Sequence, residues 1–208
     1  MNSLTEKRLI AGPAGLIECA IDTPGAGFDG RLRGMALICH PNPTQGGTMD
    51  NKVVQTLARA LVQLGYRAVR FNFRGIGKSE GTWDAGQGEV DDALAVLAAF
   101  RESDEAFVLA GFSFGAFVTS QAAQRLPDGQ VAERLILVGP ATSRFDTAPV
   151  PAETLVIHGE VDDVVPLASV LDWARPQSLP VVVVPGVGHF FHGQLPLLKN
   201  IIVRNWQI

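Results

Sequence analysis

The sequence predicts an α/β protein: a mostly parallel, eight-stranded sheet with helices on both faces. Three observations predict it. Short apolar runs, such as Met35–Cys39 (MALIC) and Val181–Val184 (VVVV), alternate with helix-period segments such as Asn51–Leu64. The runs are apolar throughout, as strands buried on both faces must be. Glycine and proline punctuate the joins between them.

Each element follows in order. Lys7–Thr23 reads as two strands around a turn at Ala11–Gly15, where Gly12 and Pro13 interrupt any continuous element. Met35–Cys39 is a buried parallel strand. In Asn51–Leu64, Val53, Val54, Leu57, Leu61 and Leu64 share one helical face, and Gly65 can end the helix. Ala68–Phe73 is a strand. Glu89–Phe100 is a helix with Val90, Leu94 and Leu97 inward and acids in its first turn, where they favour the helix dipole. Ala106–Ala110 is a strand and Phe114–Leu126 a helix. Leu135–Val138 and Leu155–His158 are strands, Leu167–Ala174 is a short helix, and Val181–Val184 is the last strand. The final helix falls within His189–Asn205, broken or started near Pro196. No repeat, charge block or linker divides the chain, so residues 1–208 are expected to form a single domain.

Composition narrows the function classes. The chain is 47% hydrophobic and 18% charged, the balance of a globular domain. A net charge of −4 without a basic stripe argues against nucleic acid as a partner. The N-terminus MNSLTEKRLI lacks the apolar run of a signal peptide, and no stretch reaches the ~20 apolar residues of a membrane span. A cytoplasmic protein with no membrane partner is expected, with monomer and homodimer both open. Cys19 and Cys39 then read as buried free thiols. Neither an HExxH nor paired CxxC spacing is present, so neither a metal nor a cofactor is expected.

In parallel sheets chemistry gathers where loops leave the carboxyl ends of strands. After Ala106–Ala110 comes Gly111-Phe112-Ser113-Phe114-Gly115, a G-x-S-x-G between strand and helix. A turn this tight excludes side chains two positions either side of the serine, and the following helix offers free N–H groups to negative charge. Ser113 is the candidate nucleophile. It needs a base, and the base needs a carboxylate. After Leu155–His158 the segment HGEVDDVVP offers Asp162 or Asp163, one of which could instead cap the next helix. After Val181–Val184 the segment PGVGHFFH offers His189, with His192 as rival. The chain order Ser, Asp, His is that of a known hydrolase class.

An oxyanion needs donors held in place. The N–H of Phe114, next after the nucleophile, is one. The loop His40-Pro41-Asn42-Pro43-Thr44 should supply another. Because proline lacks an N–H, Asn42 is the choice, with His40 or Thr44 substituting if the chain turns differently. Phe112, Phe114, Phe190 and Trp83 could line an acyl pocket, with core packing the competing reading for each. Gly75–Ser79 lacks the spacing of a phosphate loop.

These segments resemble the α/β-hydrolase superfamily over essentially the whole chain. CHPNPTQGGTMDNKVV and VRFNFRGIGKSEG resemble small bacterial hydrolases of the dienelactone-hydrolase-like kind with an His-Pro-x-Pro loop. The resemblance implies the α/β-hydrolase fold. Within its HG-x-x-D-x-x-V-P pattern it selects Asp162 as the catalytic acid, and its late G-x-x-H selects His189. Only about fifteen residues separate Val138 from the next strand, which leaves little or no room for a lid. The expected activity is hydrolysis of a small carboxylic ester or thioester through an acyl-enzyme on Ser113. Alternatives are a peptidase, amidase or perhydrolase using the same residues, or a non-catalytic binder of small molecules.

Overall fold

The computed structural model describes residues 5–206 apart from 26, 27 and 29. Eight strands form one sheet: β1 (Glu6–Gly12), β2 (Gly15–Asp22), β3 (Gly34–Cys39), β4 (Tyr66–Phe71), β5 (Phe107–Phe112), β6 (Arg134–Val138), β7 (Leu155–Gly159) and β8 (Val181–Val184). Their order is β1-β2-β4-β3-β5-β6-β7-β8. The β1–β2 and β2–β4 pairs are antiparallel, and every later pair is parallel. Among the described residues five α-helices accompany it: α1 (Lys52–Gln63), α2 (Gln87–Phe100), α3 (Phe114–Gln124), α4 (Leu167–Ala174) and α5 (Leu195–Arg204).

The period-2 geometry of strands sorts the core into two layers. On β3, Ala36 and Ile38 face one side and pack with Val53, Leu57 and Leu61 of α1 and Leu198 and Ile202 of α5. Met35, Leu37 and Cys39 face the other side, with Val90, Val96 and Leu97 of α2 and Val118 of α3. A smaller cluster lies under α4, where Val170 and Ala174 meet Val156. The helix after β3 therefore covers one face and the helix after β5 covers the other. Because β3 and β5 are neighbours, their outgoing loops diverge and leave a crevice at the carboxyl ends.

Predicted and observed elements agree in kind and order, and their ends shift for local reasons. β4 stops at Phe71 because the Phe73 N–H leaves the ladder and donates to His40 Nε2 at 3.0 Å. α2 starts at Gln87 because the Glu89 carboxylate accepts the N–H groups of Gly86 (2.7 Å) and Asp84 (3.0 Å). α5 starts at Leu195 with Pro196 in its first turn, so His189 and His192 sit on turns before it. Cys19 and Cys39 are buried free thiols, and burial pushes both up to about 12.

A buried ion pair fastens the turn after β4. Asp92 of α2 accepts from the Arg74 backbone N–H and Nε, both at 3.0 Å, and from Nη2 at 2.8 Å. Both side chains are largely buried. Asp92→Ala leaves a largely buried guanidinium with only its longer 3.8 Å contact to the exposed Asp84 and should cost about 3 kcal/mol. Urea unfolding checks this; a loss below about 1 kcal/mol would mean that water replaces the carboxylate.

Candidate active site

The loop after β5 makes the turn its spacing predicts. Ser113 sits at φ 57°, ψ −118°, a backbone conformation that side-chain-bearing residues rarely adopt. The neighbours must be glycine because the chain folds back on itself. A Cβ on Gly111 would collide with the backbone of Gly115, and a Cβ on Gly115 would collide with the carbonyls of Cys39 and His40. The Ser113 N–H is fixed by the Val138 carbonyl at 2.9 Å. The hydroxyl thus stands at the start of α3, in the crevice between β3 and β5.

The loops after β7 and β8 converge on it. His189 Nε2 lies 3.0 Å from Ser113 Oγ, and His189 Nδ1 lies 2.6 Å from Asp162 Oδ2. The His189 ring rests against Phe112, with centroids 4.8 Å apart. Asp162 is held by its own loop, since Oδ1 accepts the N–H groups of Val164 (2.9 Å) and Val165 (2.7 Å). Burial alone would raise the Asp162 carboxyl. The hydrogen bond from His189, joined by the two amides, outweighs it and holds the group below the usual carboxylate range. A carboxylate on Nδ1 fixes the tautomer in which Nε2 is a free base facing the serine. Asp163, the other candidate acid, is exposed and has no hydrogen bond to His189. His192, the rival base, is exposed on a turn.

The loop after β3 is braced by a second histidine. His40 is fully buried; Nδ1–H donates to the Pro41 carbonyl at 2.7 Å while Nε2 accepts the Phe73 N–H. Beyond it Asn42 begins a 3₁₀ turn over Pro43–Gln45. The Asn42 side chain accepts the Thr44 N–H at 2.9 Å, which removes Thr44 as a free backbone donor. Among the described residues, the N–H groups of Asn42 and Phe114 have no protein acceptor.

Burial pushes His40 down to about 4, against the pull of its bond to Pro41. Between about pH 6.5 and 4 the unfolded chain therefore binds a proton that the folded protein refuses. Stability should fall with pH through that window, by about 2–3 kcal/mol between pH 6.5 and 4.5 from His40 alone. Burial also lowers His158, with the same sign. Urea titrations at the two pH values check it. A slope unchanged in His40→Gln would show that other groups carry the effect.

Ser113, His189 and Asn42 line an open cleft of about 420 Å³. Phe190, Arg144 and Asp163 stand on its walls. A cavity of about 460 Å³ between α2 and the segment that follows α3 is lined by neither histidine nor cysteine, so volume alone does not locate chemistry. Among the described residues no cluster of His, Cys, Asp or Glu could hold a metal, and no helix is long and apolar enough to cross a membrane.

A family model described as serine aminopeptidase, S33, matches residues 30–155, more than half of the chain. The chain belongs to this family of α/β serine hydrolases. The hydrolase is similar to XC6422 from Xanthomonas campestris, an α/β serine hydrolase without a lid, at 38% identity and TM-score 0.89 over 99% of this chain and 96% of that one. It is also similar to an α/β serine hydrolase homologue from Coxiella burnetii, at 43% identity and TM-score 0.83 over 96% of both chains. An uncharacterized protein of Rickettsia prowazekii, RP471, is 32% identical over 76% of this chain and 71% of its own length.

Lidlessness has a visible cause in this hydrolase. The segment between β6 and β7 contains no helix and is pinned along its length. Ala148 N–H donates to Ser120 Oγ (3.0 Å), Trp173 Nε1 to the Thr147 carbonyl (2.9 Å), and Thr142 Oγ1 to Ser169 Oγ (3.0 Å). The aromatic candidates separate. Phe112 and Phe114 are fully buried in the core, and Trp83 packs on Phe114 at 5.0 Å. Only Phe190 lines the cleft. Sequence reading missed Arg144 and Gln45 on the cleft walls. Arg144 lies in the β6–β7 segment between Ser143 and Phe145, a position that carries no motif.

Proposed function

We propose that the protein hydrolyses small carboxylic esters or thioesters through an acyl-enzyme on Ser113. The observation that carries this reading is the continuous line from Ser113 Oγ through His189 to Asp162, at 3.0 and 2.6 Å, opening into the cleft. His189 Nε2 takes the hydroxyl proton as Ser113 Oγ bonds to the acyl carbon. The carbonyl oxygen becomes an oxyanion, received by the N–H groups of Asn42 and Phe114. The carbon–oxygen or carbon–sulfur bond to the leaving group then breaks, and that group takes the proton from His189. A water, deprotonated by His189, repeats the sequence and frees the acid. Asp162 stays ionised and steadies the imidazolium. An open cleft with Phe190 on one wall and polar groups on the others suits small substrates better than long acyl chains.

A fluorophosphonate probe should form one covalent adduct on Ser113, located by peptide mass spectrometry. Folded protein that takes up no probe would sink the nucleophile. A panel of nitrophenyl esters, acyl thioesters and aminoacyl anilides then tests the substrate class, with the esters or thioesters expected to turn over fastest. A second reading is favoured by the family description and by Asp163 on the cleft wall, whose carboxylate could hold an α-ammonium. It is release of an N-terminal residue. Anilide turnover that exceeds ester turnover and falls in Asp163→Asn would select it.

A further inference from the structure

One buried titratable side chain beside the site is not used by the steps above. His158, at the end of β7, is fully buried. Its Nε2 lies 3.0 Å from the Val165 carbonyl, which can only accept, so the proton sits on Nε2. The same Nε2 lies 3.5 Å from Asp162 Oδ2, the oxygen that meets His189. Nδ1 is then an aprotic lone pair, buried with no partner among the described residues.

This is a costly residue for the place it occupies. β7 is otherwise apolar, with Leu155, Val156 and Ile157 in sequence before it. A leucine or phenylalanine at 158 would continue the core and leave no orphaned nitrogen. What the histidine adds is a grip on both ends of one residue. Val165 gives its N–H to Asp162 Oδ1 and its carbonyl to His158. The imidazole, the Val165 peptides and the carboxylate therefore close a small ring around the acid. Rotation of the Asp162 carboxylate would have to break the hydrogen bonds from the Val164 and Val165 N–H groups and slide Oδ2 past the His158 N–H.

We infer that His158 is a positioning residue: in its neutral Nε2–H form it locks the Val165 turn and offers Asp162 Oδ2 a second, longer N–H contact, so that the carboxylate stays aimed at His189. The inference rests on the assignment of Ser113, His189 and Asp162 above. Burial lowers His158, in keeping with a neutral ring.

The test compares His158→Phe, which fills the space without a donor, with His158→Gln, whose amide N–H reaches about as far as Nε2. With a nitrophenyl ester, His158→Phe should lower kcat about 10- to 100-fold with KM within about twofold, because the base is misaimed while the cleft is intact. His158→Gln should recover most of that loss. The same proteins are read by proton NMR. The His189 Nδ1–H resonance, expected far downfield from its 2.6 Å bond to Asp162, should keep its place in His158→Gln. In His158→Phe it should broaden or move upfield. If phenylalanine prevents folding, His158→Leu replaces it in both measurements. Equal losses for the donor and non-donor variants, or an unmoved resonance in a folded non-donor variant, would overturn the inference. The resonance is read without turnover. A wild type inert to every substrate therefore counts against the ester reading while His158 is still judged.

Discussion

Ser113→Ala is expected to lower kcat on a small ester by about 10⁴- to 10⁶-fold, the scale on which removal of a hydrolase nucleophile acts. KM should change little, because the cleft walls formed by Asn42, Phe190 and Arg144 are untouched. The fold should also be unchanged. Ser113 is held by its backbone N–H on Val138, and among the described residues its hydroxyl hydrogen-bonds to His189. Steady-state kinetics with a nitrophenyl ester, alongside circular dichroism, measures both. Activity within tenfold of the wild type would remove Ser113 from the reaction and leave the esterase reading without a nucleophile.

The second large effect is expected from Asp162→Asn, about 10⁴-fold in kcat. Oδ1 of Asp162 accepts two amide N–H groups, so the asparagine carbonyl should take that place. Its NH₂ then faces His189 Nδ1. A donor there forces Nδ1 to accept, moves the ring proton to Nε2, and leaves no base facing Ser113. Asp163→Asn is the matched control. Asp163 is exposed and the acid hydrogen-bonded to His189 is Asp162, so the change on a neutral ester should stay within about twofold. Parallel assays of the two variants decide between the neighbouring acids; equal losses would mean that the loop, and not one carboxylate, carries the effect.

Much of the fold was legible because its signals are local. Strand runs, helix faces and the glycine-bounded serine turn each depend on residues within a few positions of one another. The ends of elements were less legible where a distant group intervenes. β4 ends early because His40, 33 positions away in sequence, captures the Phe73 N–H. Phe112 and Phe190 look alike in sequence, yet one is sealed between sheet and helices and the other lies on the cleft wall. Strand pleat separates them: Phe112 still belongs to β5, whereas Phe190 follows the last strand on a turn.

The sequence by itself determined the layered α/β plan, the glycine-bounded serine turn, the order of the candidate residues and the lack of space for a lid. Those properties follow from spacing and from what glycine and proline allow. Only the tertiary structure brought Asp162 to within hydrogen-bond distance of His189, separated the aromatic on the cleft wall from those in the core, and placed Arg144 on the cleft wall and His158 beside Asp162. The decisive contacts join residues 76 and 27 positions apart, Ser113 to His189 and His189 to Asp162. The register of parallel strands sets such contacts, and it depends on the packing of both helical layers at once. No short stretch of the chain contains that information.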